Sequence, residues 1–439
     1  MNQATPSQLL YSRALKHTPT GTHSNTRVRA PHPYYITEAH GAYVTDADGQ
    51  RLLDFIMGNG AIILGHDNPH VRESVRRAVD RGATTGFESP DAVACVELLA
   101  ELIPGLEAVR FANTGTEAVL HALRIARAAT GRQRIAKAEA SYHGWADTVW
   151  VSTWPPLDRA GPASAPAPVP GSAGLACDAN PTLVLPFNDL AATTDLLNAH
   201  GSELAAVIVE PAMIDIGYVP ATREYLAGLR ELTARLGIVL IFDEMLTGFR
   251  LAPGGAREFY GVTPDLSTFG KAIANGYPLA AVEGRRDLLD LTDPARGGEV
   301  GWVGTFNGHA VVMAAARASL TQLRGGAVVG RLAELTGALQ ASVAELARDT
   351  GEAILVAGAG GHFQPYFTAV PPRDYREALT VDAAGYRRFV AAAHERRAVI
   401  AQNPLGHCAL SIAHTEADLT VLIEAIGAAL SSATASATA

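Results

Sequence analysis

Apolar residues in the middle of the chain recur at two spacings that alternate with each other. Segments 70–82 and 91–105 carry apolar residues at helical spacing and end at glycine or Pro-Gly, so each predicts a helix. Segments 205–211 and 237–244 are nearly continuous apolar runs, as expected of parallel strands covered on both faces. Strands and helices alternate over roughly 250 residues, which predicts a doubly wound α/β domain.

One helix is marked at both of its ends. Segment 114–131 opens with Thr114 and Glu117, which have the T-x-x-E spacing of a capping box, and it stops at Gly131. This spacing predicts a helix whose first turn is fixed by its own side chains.

The two ends of the chain have other patterns. Residues 42–56 hold two short strand-like runs around an Asp-Gly turn, which predicts a hairpin. From about residue 320 onward we expect a smaller α+β unit, followed by a disordered tail rich in serine and alanine.

The composition is that of a globular protein with a large interior. The 439 residues are 48% hydrophobic and 18% charged, and a chain of this length is expected to form more than one subdomain. The formal net charge is −9 and there is no basic run, which argues against nucleic acid or an anionic membrane as a partner.

The cysteines and the first residues bear on the cellular location. Cys95, Cys177 and Cys408 are far apart and form no CxxC pair, so we expect reduced thiols and neither a metal site nor a disulfide framework. The N-terminal residues lack the apolar core of a signal peptide, and no run of about 18 apolar residues predicts a membrane span. We therefore expect a cytoplasmic protein.

Segment 155–174 is rich in proline, alanine and glycine. Such a composition is typical of a flexible surface linker. Long irregular loops in compact domains are also often functional, so a mobile lid over a site is the alternative.

Two charged residues stand where apolar strands should end. Asp243 closes the run 239–244, and ligands of open parallel sheets bind beyond the carboxyl ends of the strands. Lys271 lies among small and apolar residues, where a lowered pKa makes a lysine amine nucleophilic near neutral pH. A lysine that forms a Schiff base and an acid that faces a pyridinium nitrogen are the pair that a pyridoxal phosphate enzyme needs. Taken alone, Asp243 could equally be a capping or salt-bridged carboxylate.

Two further segments could hold such a cofactor. Residues 113–118 place Thr114, Gly115 and Thr116 at a helix start, where free amides and the helix dipole favour an anion. Tyr142 follows the strand-like run 134–140 and could stack on a planar ring. The alternatives are an ordinary helix cap and a core aromatic residue.

The order of these signals resembles a known family. The motifs FANTGTEAVLHALRIARAATGR, SYHG, LIFDEMLTGFR with YGVTPDLSTFGKAIANGYP, and GTFNGHA resemble the class III, fold type I, pyridoxal phosphate aminotransferases. Within that family the chain looks most like the branch that contains glutamate-1-semialdehyde aminomutase. The resemblance extends from about residue 18 to about residue 425.

The resemblance implies a role for each matching position around the cofactor ring. Lys271 would hold pyridoxal phosphate as a Schiff base and move protons, and Asp243 would pair with the pyridine nitrogen. Tyr142 would stack on one face of the ring. Met245, where relatives usually have valine, would pack on the other face.

The resemblance also implies contacts with the phosphate, the substrate and a second subunit. Gly115 and Thr116 would bind the phosphate with Thr114 nearby, and Thr305 would reach the phosphate of the partner subunit, which implies a homodimer with shared sites. Arg27 would grip a substrate carboxylate, although a surface arginine is the alternative.

Three positions depart from the aminomutase pattern. Asn59 stands where the aminomutase has a tryptophan in the substrate pocket, and Gly406 stands where it has a glutamate. Asp215 replaces an asparagine near the phenolic oxygen of the cofactor, so it must point away, be protonated or take another role. These changes preserve the cofactor chemistry and put the mutase substrate in doubt.

We therefore expect an aminotransferase that moves an amino group from a carboxylate-bearing donor to a keto or aldehyde acceptor. An aminomutase or an amino acid racemase on the same scaffold is the second hypothesis, and a non-catalytic protein that binds the cofactor is the third. The fold implied is a large, mostly parallel, doubly wound domain at 59–318. A small α+β domain would be built from 1–58 and 319–439, with disorder from about 431 to 439.

Overall fold

The computed structural model describes residues 4–84, 86–176 and 182–437, with side chains described as far as residue 431. Cys177 lies outside the described residues. The strands are β1 (Ile36–His40), β2 (Tyr43–Asp46), β3 (Arg51–Asp54), β4 (Ala108–Ala112), β5 (Arg134–Ala138), β6 (Leu183–Leu185), β7 (Leu204–Val209), β8 (Ala212–Met213), β9 (Val219–Pro220), β10 (Val239–Glu244), β11 (Leu266–Phe269), β12 (Ala280–Gly284), β13 (Leu355–Ala359), β14 (His362–Tyr366), β15 (Ala398–Val399) and β16 (Cys408–Ala409).

The helices alternate with these strands through the middle of the chain. They are α1 (Pro6–Ala14), α2 (Pro69–Asp80), α3 (Pro90–Leu102), α4 (Gly115–Thr130), α5 (Leu190–His200), α6 (Arg223–Leu236), α7 (Gly255–Tyr260), α8 (Arg286–Leu289), α9 (Ala310–Leu323), α10 (Ala327–Thr350), α11 (Tyr375–Ala378), α12 (Ala383–Glu395) and α13 (Glu416–Ala437). Within the described ranges, no helix is both long enough and apolar enough to cross a membrane.

Seven strands form the central sheet, in the order β4-β12-β11-β10-β7-β5-β6. All its pairings are parallel except those of β12, which runs antiparallel to both of its neighbours. Alternate residues of β7 and β10 point into two separate cores, one against α4 and the other against α6. Because both faces of the sheet are covered, its inner strands are apolar throughout, and the expected doubly wound α/β fold is confirmed.

The predicted capping box at the start of α4 is present. The Thr114 side chain accepts from the Glu117 amide, and the Glu117 carboxylate accepts from the amide of Thr114. The helix ends at Gly131, whose φ of 69° favours glycine.

The chain ends meet in one of two smaller sheets. The predicted hairpin is formed by β2 and β3, and β15 from the C-terminal segment pairs parallel with β3 in the order β1-β2-β3-β15. The second sheet has the order β13-β14-β16. These pairings support our proposal that 1–58 and 319–439 form one small domain beside the large domain 59–318.

The C-terminal tail differs from the sequence-based expectation. Helix α13 continues to Ala437, so residues 431–437 are helical where we expected disorder, and 438–439 lie outside the described residues. The helix contains many alanines, which have the best intrinsic helix propensity, and the Ser431 hydroxyl donates to the Gly427 carbonyl.

Segment 155–174 is fixed to the rest of the fold. The Arg376 guanidinium donates to the carbonyls of Ala160 and Gly161, at 3.2 and 2.9 Å, and the Tyr375 hydroxyl donates to the Pro155 carbonyl at 3.0 Å. Pro155 and Ala160 are buried. Hydrogen bonds and buried residues therefore hold this segment against the rest of the fold, whereas a flexible linker would make few such contacts.

Candidate active site

Four neighbouring parallel strands deliver charged or aromatic residues to one cleft. Asp243 lies near the end of β10, Glu210 directly follows β7, Lys271 follows β11, and Tyr142 follows β5. Because these strands are adjacent in the order β11-β10-β7-β5, their carboxyl ends meet, and all four residues line a cleft of about 310 Å³.

Asp243 is buried at the bottom of this cleft and is surrounded by donors. Its Oδ2 lies 2.7 Å from the His143 Nδ1, and its Oδ1 accepts from the Thr268 hydroxyl at 3.1 Å and from the Met245 amide at 3.2 Å. Burial lowers the pKa of His143 despite the attraction of Asp243, so the imidazole is neutral and its Nδ1 carries the proton. These three donors stabilise the carboxylate as an anion.

Lys271 has a strained backbone and a nitrogen suited to nucleophilic chemistry. Its φ of 47° is uncommon for a residue with a side chain, and such strain is typical of functional sites. Burial lowers the pKa of the Lys271 amine, and the negative charges of Asp215, Glu210 and Asp243 partly oppose that shift. The other two lysines of the chain are exposed Lys16 and buried Lys137, and neither lines the cleft.

Lys137 stabilises a loop at the edge of the site. Its ammonium group donates to the carbonyls of Ser141, Val149 and Val151 at distances of 2.7 to 3.0 Å. These bonds fix the loop that carries Tyr142 after β5. The Lys137 nitrogen therefore already donates its hydrogens to these carbonyls.

The start of α4 forms a cradle at one end of the cleft. The first amides of a helix have no acceptor within it, and the capping box uses the amide of Glu117, which leaves the amides of Gly115 and Thr116 directed at the cleft. Gly144 closes the other side with a φ of 86°, and a Cβ there would lie 2.5 Å from the Thr116 hydroxyl oxygen. The cradle therefore suits a compact anion.

Tyr142 and Met245 supply walls of the same cleft. The Tyr142 ring lies parallel to Trp154, with 5.9 Å between centroids, and meets Trp150 edge to face. A Cβ on Gly115 would lie 3.0 Å from the Met245 sulfur, and a Cβ on Gly270 would lie 2.6 Å from it. Neighbouring glycines thus make room for a methionine.

Arg27, Asn59 and Thr305 are not brought into the cleft of their own chain. All three are exposed, and none is among the residues that line the cleft within the described ranges. Arg27 ends a short 3-10 helix, Asn59 lies in a turn with a φ of 54°, and Thr305 lies in an exposed segment with Val303 and Phe306. Their roles remain predictions.

Asp215, for which the sequence left three alternatives open, lies against His407. Its Oδ1 lies 3.0 Å from the Nδ1 of His407, and it also lines the cleft. Burial alone would raise the pKa of Asp215, but the hydrogen bond and charge of His407, together with Lys271, bring it below its usual value. The side chain is therefore an anion at neutral pH.

Sequence reasoning assigned no role to His143, Glu210 or His407. The amide of Tyr142 donates to Glu210 at 2.8 Å, and burial, with the charges of Asp215 and Asp243, holds the pKa of Glu210 well above its usual value. Two signals were present: His143 follows Tyr142 directly, and Glu210 ends an apolar strand as Asp243 does. His407 had no comparable signal, because its partner comes from a distant part of the chain.

The comparisons with known proteins agree with this geometry. The model of the aminotransferase class-III family matches residues 24–364. The glutamate-1-semialdehyde 2,1-aminomutase of Methanothermobacter thermautotrophicus is 37% identical over 426 residues, which cover 97% of this chain and 99% of that protein.

Solved structures of two named enzymes superpose on most of the chain. An omega-transaminase from Sphaerobacter thermophilus has a TM-score of 0.92 at 36% identity and covers 98% of both chains. A glutamate-1-semialdehyde aminomutase from Pseudomonas aeruginosa has a TM-score of 0.85 at 27% identity, covering 97% of this chain and 94% of that one. The chain therefore belongs to the class III aminotransferase family and is a pyridoxal phosphate-dependent enzyme of fold type I.

Proposed function

We propose that this enzyme transfers an amino group from a carboxylate-bearing donor to a separate keto or aldehyde acceptor. The observation that carries the proposal is the meeting of Lys271, the Asp243–His143 pair and the cradle of α4 in one cleft. This set binds the cofactor and holds the reacting nitrogen, which are the requirements of amino-group transfer.

The residues of the cleft fit pyridoxal phosphate. The amides of Gly115 and Thr116 and the Thr116 hydroxyl would hold its phosphate, with Thr114 capping the helix behind them. Tyr142 and Met245 would pack on its ring. The bound cofactor supplies a protonated ring that accepts the electrons released when a substrate carbon loses a proton.

Asp243 would hold the proton on the ring nitrogen. Its two oxygens accept from Thr268, Met245 and His143, and these hydrogen bonds offset the cost of burying the carboxylate. The His143 Nε2 is buried and has no hydrogen-bond partner among the described residues, and His143 acts only by orienting Asp243.

Lys271 would hold the cofactor covalently and then move a proton. When its amine is free, the lowered pKa of Lys271 would allow Nζ to take the proton of the amino-bearing carbon of a substrate near neutral pH. Lys271 could then return this proton at a different atom, which is the proton movement that transfer of the nitrogen requires before water releases the keto product.

The pocket favours a transferase over a mutase. A Cβ at Gly406 would lie 2.8 Å from the Cβ of Ala401, so this tight turn carries no carboxylate where the resemblance implies one in the aminomutase. Asn59 is exposed in a turn and does not narrow the cleft. A more open site suits successive binding of a donor and an acceptor. The similarity to proteins named as aminomutases makes an aminomutase the second candidate.

A homodimer with shared sites completes the proposal. Val303 is 86% exposed and Phe306 is 58% exposed on either side of Thr305. Exposed apolar side chains beside a predicted cofactor contact favour burial against a second copy of the chain. The free, buried thiols of Cys95 and Cys408 support a cytoplasmic location.

The cradle gives the first prediction. Gly144→Ala would push a Cβ against Thr116, so we expect pyridoxal phosphate to bind at least about tenfold more weakly, as measured by equilibrium dialysis. Gly131→Ala is the matched control, because Gly131 also has a positive φ but its Cβ would meet no atom within 4 Å. Equal affinity of the Gly144→Ala variant and the parent chain would show that the cradle does not bind the phosphate.

The reaction type gives the second prediction. We expect ping-pong kinetics with a carboxylate-bearing donor and a separate acceptor, and a rise in donor KM of about tenfold or more for Arg27→Ala. Arg29→Ala is the control, because the Arg29 guanidinium lies over the Tyr34 ring. Efficient conversion of glutamate-1-semialdehyde to 5-aminolevulinate without a second substrate would instead establish the aminomutase.

The shared site gives the third prediction. Chains carrying Lys271→Ala or Thr305→Ala should be inactive when purified alone. Heterodimers isolated with two affinity tags contain one site with both native residues, so we expect about half the wild-type activity per dimer. Inactive heterodimers would place Thr305 outside the site of the partner subunit.

A further inference from the structure

Asp215 and His407 form a hydrogen-bonded pair that joins two distant parts of the chain at the wall of the cleft. Asp215 follows β8 in the large domain, and His407 directly precedes β16 in the C-terminal segment. Their side chains meet at 3.0 Å, and the His407 side chain is only 6% exposed. None of the roles described above uses this pair.

The position of Asp215 is fixed from two sides. The Trp154 indole donates to the Asp215 backbone carbonyl at 3.1 Å, while the His407 Nδ1 donates to the carboxylate. Trp154 in turn stacks on Tyr142, which is part of the cleft wall. The backbone of Asp215 is therefore held by Trp154, and its carboxylate is held by His407.

The surroundings make Asp215 a negative charge that acts on Lys271. Burial, with the charges of Asp215 and Asp243, holds the pKa of Glu210 well above its usual value, and the Asp243 carboxylate accepts hydrogen bonds from His143, Thr268 and the Met245 amide. Asp215 and Lys271 line the same cleft, and of the negative charges that oppose the effect of burial on the Lys271 pKa, that of Asp215 is the largest. Asp215 is thus the strongest influence that favours the cationic form of this nitrogen.

The remaining groups around the pair do not supply that influence. Arg250 is buried and donates to the carbonyls of Gly60, Gly360 and Leu410, and its charge disfavours a cationic Lys271. His362 meets the His407 ring at 5.1 Å, and burial together with the charge of Arg250 keeps its pKa well below the usual value. The titratable or charged groups around Asp215 and Lys271 are Tyr142, Glu210, Asp243, Arg250, His362 and His407.

We propose that Asp215, held by His407, is a positioning residue that fixes a negative charge in the cleft that Lys271 also lines, and so stabilises the protonated form of the Lys271 nitrogen. The negative charge of Asp215 should raise the pKa of the Lys271 nitrogen. Removing the charge should let the nitrogen lose its proton at lower pH, both as a free amine and when it is linked to the cofactor. The inference rests on the assignment of Lys271 in the proposed function, but it holds for a transferase and for a mutase alike.

The test is a pH titration of the visible absorbance of the purified holoenzyme. For Asp215→Asn, which removes the charge with little change of shape, we expect the apparent pKa of the lysine-linked cofactor to fall by about one unit. Asp215→Glu restores the charge and should recover at least half of that shift. An unchanged pKa in Asp215→Asn, or no recovery in Asp215→Glu, would overturn the proposal.

A double-mutant cycle tests the part played by His407. If His407 keeps Asp215 ionised, then Asp215→Asn should shift the pKa less in a His407→Asn background than in the parent chain. An equal shift in both backgrounds would exclude His407. His362→Asn is the matched control, because His362 touches His407 but not Asp215, and a shift as large as that of Asp215→Asn would attribute the effect to repacking.

A second readout separates this inference from the proposed function. The reactivity of the Lys271 amine toward acetic anhydride can be followed across pH by mass spectrometry in the cofactor-free chain. We expect its pKa to be lower in Asp215→Asn than in the parent chain, whether or not the enzyme turns over any tested donor. The same pKa in both chains would contradict the proposed charge, whereas absent turnover alone would contradict only the proposed reaction.

Discussion

The Asp243 carboxylate is buried at the bottom of the cleft, and the rest of the site is arranged around its need for hydrogen-bond donors. A buried charge is costly unless it is paired and hydrogen-bonded. Here His143, Thr268 and the Met245 amide all donate to it. The contact with His143 requires the ends of β5 and β10 to face each other across β7, so the strand order of the sheet and the chemistry of the site depend on the same interaction.

The sequence predicted what is local or repeats with a regular period. The capping box of Thr114 and Glu117 and the apolar strand that ends at Asp243 depend on neighbouring residues, and both are present as expected. His407 could not be found in this way, because its contact with Asp215 depends on how the C-terminal segment folds back. The helical tail was missed because a composition typical of disorder also contains good helix formers.

The site combines parts that fit the family chemistry with parts that depart from the aminomutase pattern. In the proposed function, Lys271 supplies a nitrogen to the cofactor and Gly144 allows the backbone to approach it closely, and both features serve any reaction of this cofactor. Gly406 and Asp215 differ from the aminomutase pattern, and we propose that these differences change the space or the charge around the substrate. A shared cofactor site with a changed pocket is how one fold comes to serve several reactions.

The central claim is that Lys271 carries the cofactor. The chain has only three lysines, and Lys137 already donates to three carbonyls, so chemical mapping gives a clear answer. Borohydride reduction of the holoenzyme, followed by proteolysis and mass spectrometry, should place the cofactor on Lys271 alone. Cofactor found on Lys16 or Lys137, or no covalent attachment after reduction, would contradict the claim.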